Sequence, residues 1–123
     1  MLKKQITYRD LNDVERTEDF YFNLSKSEIA EMELSTTGGL IKHINRIVEA
    51  QDGKEIMAFF KNFILKSYGE KSPDEKHFIK GEEVSRMFSF TGAYDVLFME
   101  LVTDPEKAAA FLNGIVPAAE KES

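Results

Sequence analysis

Between Lys54 and Tyr68 the apolar residues Ile56, Met57, Phe59, Phe60, Phe63 and Ile64 recur at helical spacing. Plotted at about 100° per residue they cover an arc of roughly 160°, an unusually wide and aromatic helix face. Such a face has to be covered by other elements, and a chain of 123 residues has room for one modest core to do it. The neighbouring sequence supplies candidates. From Leu40 to Gln51, the residues Leu40, Ile41, Ile44, Ile47 and Val48 share one face, with Lys42, Asn45, Arg46 and Glu49 opposite. This is the clearest amphipathic helix in the chain. Gly38-Gly39 breaks the chain before it and Asp52-Gly53 ends it. Ser25 and Glu28 stand at capping-box spacing and predict a short helix whose buried side is Ile29, Met32 and Leu34.

After the aromatic helix, Gly69 is placed as a C-terminal cap, and Glu70 to His77, with Ser72-Pro73-Asp74 inside it, has the chemistry of a loop. Phe78-Ile79 anchors the exit, followed by helices over Gly81 to Phe90 and Tyr94 to Val102. Asp104 at a cap and Pro105 at the first helical position open a last helix. Gly114 is expected to stop it after Phe111-Leu112, and Pro117 to prevent continuation. At the other end, Ile6 and Tyr8 alternate, Arg9 to Arg16 is polar, and Phe20 and Phe22 are two apart. Those signals read as a β-hairpin whose turn uses Asp10, Asn12 and Asp13. An isolated hairpin is marginal in water, so it should lie on the helices or pair with another subunit. The expected fold is mainly α and a single domain: a β-hairpin over residues 1–24, five or six helical segments over 25–116, and a flexible polar tail over 117–123.

Charge and motifs exclude more than they assign. The 16 Lys and Arg against 22 Asp and Glu give a net charge of -6, which argues against a phosphate-tracking surface and against nucleic acid as a partner. The acidic residues are interleaved with basic ones, unlike the acidic block of a nucleic-acid mimic. There is no Cys, which suits a reducing cytoplasm. No stretch approaches the roughly 18 apolar residues of a membrane span, and the start lacks the apolar run of a signal peptide. His43 and His77 have no partner at ligand spacing, and Gly38-Gly39 lacks the strand and Lys-Ser/Thr of a phosphate loop. Glu82-Glu83 falls in a first helical turn, where carboxylates complement the macrodipole. The expectation is no enzyme, cofactor or metal.

What remains is an apolar surplus of ten Phe and five Met. Each ring taken alone reads as core, because aromatic stripes usually face inward. Taken together they exceed a small interior, so some of Met57, Phe59, Phe60, Phe63, Phe88, Phe90 and Phe98 are expected to meet a partner, with Met57, Met87 and Met99 suited to an adaptable surface. A hairpin edge together with this surplus also fits self-association into a ring or filament.

The wording of four stretches goes further. ERTEDFYFNL from Glu15 to Leu24, ILKSYGEKSPD from Ile64 to Asp74, AYDVLFMELVTD from Ala93 to Asp104 and AFLNGIVP from Ala110 to Pro117 resemble the tail assembly chaperones of siphoviruses and related prophages. The resemblance implies a mostly helical protein of the bacterial cytoplasm that coats the tape measure protein and keeps it soluble until tail tube protein polymerises around it. It implies absence from the mature virion. Members of such families often occur in a short form and a longer, frameshifted form. The competing expectation is a structural tail connector or completion protein that stays in the particle.

Overall fold

The computed structural model describes residues 1–35 and 38–116, apart from the side chains of Ile41 and Val48. The tail over 117–123, Pro117 and the proposed facing of Ile41 and Val48 therefore lie outside the described residues.

Strands β1 (Leu2–Arg9) and β2 (Glu15–Phe22) form an antiparallel hairpin in register from Leu2↔Phe22 to Arg9↔Glu15. Its turn follows from the acidic and amide residues between them. The Asp10 carbonyl accepts the Asp13 amide at 3.0 Å, Asp13 adopts φ 61, and the Asp10 amide donates to the Val14 carbonyl at 3.0 Å. This is a three-residue loop built from a type I turn and one left-handed residue. The Asp10 carboxylate also takes the amides of Asn12 and Val14 at 2.8 and 3.0 Å, which holds the loop without apolar packing. Period-two alternation then sends Ile6 inward and leaves Lys3, Gln5, Thr7 and Arg9 exposed.

Helix α1 (Lys26–Ser35) starts at the expected capping box: the Ser25 amide donates to Glu28 Oε1 at 2.8 Å and the Glu28 amide to Ser25 Oγ at 3.2 Å. Ile29 is buried and Met32 half-buried, but Leu34 is 89% exposed, contrary to its expected place on the inner side. Five residues beyond Ile29, Leu34 has rotated about 140° away from it. Helix α2 (Leu40–Ala50) ends at Gln51 with φ 53, and Asp52 caps the next helix by accepting the amides of Lys54 and Glu55 at 3.1 and 3.4 Å.

Helix α3 (Gly53–Ser67) is the aromatic helix, and its end departs from expectation. Tyr68 takes extended angles, φ -67 and ψ 140, and leads straight into β3 (Tyr68–Lys71), which pairs with β2 and with β4 (Phe78–Ile79). The four strands lie in the order β1-β2-β3-β4, so the fold is mixed, helices with a small antiparallel sheet, rather than mainly α with a lone hairpin. Gly69 is accordingly a strand residue. A Cβ there would lie 2.6 Å from the Phe78 ring and 2.7 Å from the Lys80 side chain, so its smallness lets β4 fold back across it. Only Ser72 to His77 remains as turn, closed by the Ser72 amide on the His77 carbonyl at 2.9 Å.

Helices α4 (Glu82–Ser89), α5 (Gly92–Thr103) and α6 (Pro105–Ile115) are the last elements among the described residues. Asp104 caps α6 through the amides of Glu106 and Lys107 at 3.0 and 3.2 Å. Gly114 does not stop this helix, which runs on to Ile115; instead Leu2 packs over the glycine, 3.0 Å from where a Cβ would stand. One core joins hairpin and helices, drawing Ile6 and Phe22 from the sheet, Phe60, Phe63 and Ile64 from α3, Phe88 from α4, Leu97 and Leu101 from α5, and Phe111 and Ile115 from α6. Phe22 is fully buried, with its ring 5.2 Å from Phe111, 5.7 Å from Tyr68 and 5.9 Å from Phe88. Burial of one such ring is worth roughly 1.5–3 kcal/mol.

Candidate binding surface

The apolar surplus divides into a closed half and an open half. Phe60, Phe63 and Phe88 are buried at 4, 2 and 3% exposure, and Phe88 stacks on Tyr68 with centroids 4.1 Å apart. Phe98 is half-buried, stacked at 5.8 Å on Tyr94, whose hydroxyl is pushed to a higher pKa by burial and then by the Asp95 carboxylate. Phe59 is also half-buried. Met57 and Phe90 are exposed at 48 and 68%, as are Met87 and Met99 at 59 and 52%. The structure therefore brings the seven sequence candidates to three different depths, not to one face.

Phe59 marks the best-formed concavity. A groove of about 460 Å³ opens between α1, α2 and α3, lined by Met32, Leu40, Ile47, Phe59 and the edge of Phe63. Phe59 stacks on Phe63 at 5.6 Å, meets Phe60 edge-on at 5.3 Å, and lies 6.1 Å from the His43 ring. The groove exists because α2 and α3 offer apolar stripes wider than their mutual contact can cover. That mismatch was present in the sequence as two adjacent stripes. Leu40 and Ile47, expected on the apolar face of α2, are buried at 2 and 6% exposure and form the floor of the groove, while Met32, expected on the inner side of α1, is half-buried at its wall.

The rim is polar and charged. Glu55 in the first turn of α3 and Lys66 in its last turn both border the groove, eleven residues or about 16 Å apart along the axis. Each complements the helix dipole at its own end. His43 of α2 also lines the groove, its Nδ1 3.2 Å from an Arg46 guanidinium nitrogen. Beyond the rim, Lys80 fastens α1 to the rest of the fold: its ammonium donates to Glu28 Oε1 at 2.6 Å, to the Asn23 carbonyl at 2.9 Å and to the Lys66 carbonyl at 3.3 Å. Burial acts to raise the Glu28 carboxyl, but Lys80 and Ser25 outweigh it and hold the pKa below the usual glutamate value. Among the described residues no group of three or more His, Asp or Glu gathers as a metal site. No helix among them is long and apolar enough to cross a membrane.

The surface is thus one that suits apolar side chains of another protein, with a charge at each end. The model of one protein family, described as phage tail assembly chaperone, matches residues 1–123. The chain belongs to the phage tail assembly chaperone family. No curated protein and no solved structure matches it. For a tail assembly chaperone the partners are tail proteins in general, and an open apolar groove with charged ends is the kind of feature through which one protein holds another.

Proposed function

We propose that this tail assembly chaperone binds the tape measure protein, keeps it soluble in the cytoplasm of the bacterial host, and helps recruit tail tube subunits during tail morphogenesis, leaving before the virion is complete. The observation that supports this reading is the family match along residues 1–123. The groove between α2 and α3 gives it a physical route. A tape measure helix laid along α3 would place apolar residues at i, i+3, i+4 and i+7 against Phe59 and Met32, the half-buried apolar residues of the groove. A basic residue of that helix would meet Glu55 and an acidic one, about three turns away, would meet Lys66.

The test is co-expression with the tape measure protein encoded by neighbouring genes. The expected result is a tape measure protein that is soluble only in the presence of this chain and copurifies with it, and a chain missing from purified virions by mass spectrometry. A tape measure protein whose solubility is unaffected, with this chain found in virions, overturns the reading in favour of a structural tail component.

A further inference from the structure

Helix α2 holds its shape against several features of its own sequence. It has 11 residues, below the roughly 12–15 under which even alanine-rich helices are marginal in water. Ile41, Ile44, Ile47 and Val48 are β-branched, which lowers helix propensity. The first turn carries Lys42 and no acid, and the last turn Glu49 and no base, the reverse of what the helix dipole favours. Its helical state therefore depends on docking.

That docking is shallow. α2 buries Leu40 and Ile47 and half-buries Ile44, but the contiguous core takes in neither Leu40 nor Ile47, reaching only Ile29 on α1 and Phe60, Phe63 and Ile64 on α3. The groove of about 460 Å³ has Leu40 and Ile47 on its α2 side and Phe59 and Phe63 on its α3 side, so the seat is incompletely filled. Both ends of α2 are turning points. Gly38 and Gly39 precede it at φ 81 and 94, and Gln51 follows at φ 53, a left-handed angle that costs a residue with a Cβ. The start is held from α1: Glu33 Oε2 accepts the Leu40 amide at 2.8 Å and supplies the negative charge that the first turn of α2 lacks.

Leu40, Ile44 and Ile47 stand at i, i+4 and i+7, the spacing with which an amphipathic helix enters an apolar groove. α2 is thus a specimen, held in the same chain, of the ligand that the α3 face accepts. We infer that α2 lifts from α3 as a unit and that an amphipathic helix of a partner protein takes its seat over Ala58, Phe59 and Asn62. The identity of the partner rests on the function proposed above, whereas the lifting of α2 is a property of the free chain.

Amide hydrogen exchange of the full chain tests the lifting. Protection in α2 should be at least about 100-fold below that in α3 and α5. L40S/I47S leaves α2 unable to dock. It should keep α3 and α5 protected, bind a synthetic peptide of residues 39–51 at least about tenfold more tightly than the native chain does, and copurify more tape measure protein. K42E/E49K complements the dipole, and should slow α2 exchange and lower tape measure copurification, each at least about threefold. Protection in α2 equal to that in α3, or a peptide that L40S/I47S binds no better than the native chain, would overturn the inference. So would a K42E/E49K chain with slowed exchange and undiminished copurification. If L40S/I47S loses protection throughout, Glu33→Ala decides. It removes the acceptor of the Leu40 amide from an exposed position, and should speed exchange at least about threefold in α2 alone; faster exchange in every helix overturns the inference. A folded L40S/I47S chain that no longer copurifies tape measure protein makes α2 part of the binding surface, which overturns the inference and leaves the proposed function standing. A tape measure protein bound by no form of the chain removes that function, and the exchange and peptide results then decide the lifting of α2 by themselves.

Discussion

Phe63 and Phe59 lie one turn apart on α3 with rings stacked at 5.6 Å, yet Phe63 is 2% exposed and Phe59 borders an open groove. The difference is set by what stands opposite. Phe63 faces Phe111 of α6 at 6.1 Å, within the cluster that also holds Phe22 and Phe88. Phe59 faces α2, whose nearest aromatic ring is His43. A stripe of rings on one helix therefore crosses the boundary of the core partway round its circumference, and only the partner elements decide where.

The largest expected effect lies on the closed side of that boundary. Phe63→Ala and Phe22→Ala should each lose about 3–5 kcal/mol in urea unfolding, since both leave cavities in tightly packed surroundings. A loss under about 1 kcal/mol at Phe63 would move the boundary. On the open side, Phe59→Ala should lose only about 1–2 kcal/mol, because the ring is half-buried, while copurification with the tape measure protein falls severalfold. Unchanged copurification from a folded Phe59→Ala chain would remove the groove from the proposed function.

The two sides also have separate helix caps. Asp104→Ala, at the start of the helix that carries Phe111, should lower global stability by about 1 kcal/mol. Ser25→Ala should cost a similar amount, about 1 kcal/mol, but its effect should appear as faster amide exchange in α1 and weaker binding at Met32, on the groove side. Acid should act on that same side. The folded Glu28 carboxyl titrates below the ordinary value of about 4.3, so its contribution is whole above that pH and is lost as pH falls through the lower folded value. Thermal melts between about pH 5 and pH 3 should show a smaller loss for Glu28→Gln than for the native chain. The smallest change is expected at Phe90, 68% exposed, where Ser should alter stability by less than about 0.5 kcal/mol.

Much of the chain is local in its logic. The capping box at Ser25 and Glu28, the Asp104-Pro105 start and the Asp10 turn each depend on groups within a few residues of one another, and each forms as its spacing predicts. The missed strands have the opposite character. Tyr68 to Lys71 has neither alternation nor β-branched residues, and it becomes a strand only because Phe22 and Tyr21 offer an edge some 46 residues earlier in the chain. Glycine misled for a related reason: Gly69 and Gly114 look like punctuation, but each is needed because Phe78 or Leu2 comes close from elsewhere.

By itself the sequence determined the hairpin, the number and starts of most helices, the family wording, and the existence of more aromatic surface than one small core needs. Spacing and capping are short-range, and composition is a sum, so neither requires a fold. Only the tertiary structure decided that Phe60, Phe63 and Phe88 close the core while Phe59 opens onto a groove, and that Tyr21 and Phe22 receive β3 as a third strand. Those outcomes depend on which distant element arrives opposite each residue, information that no window along the chain contains.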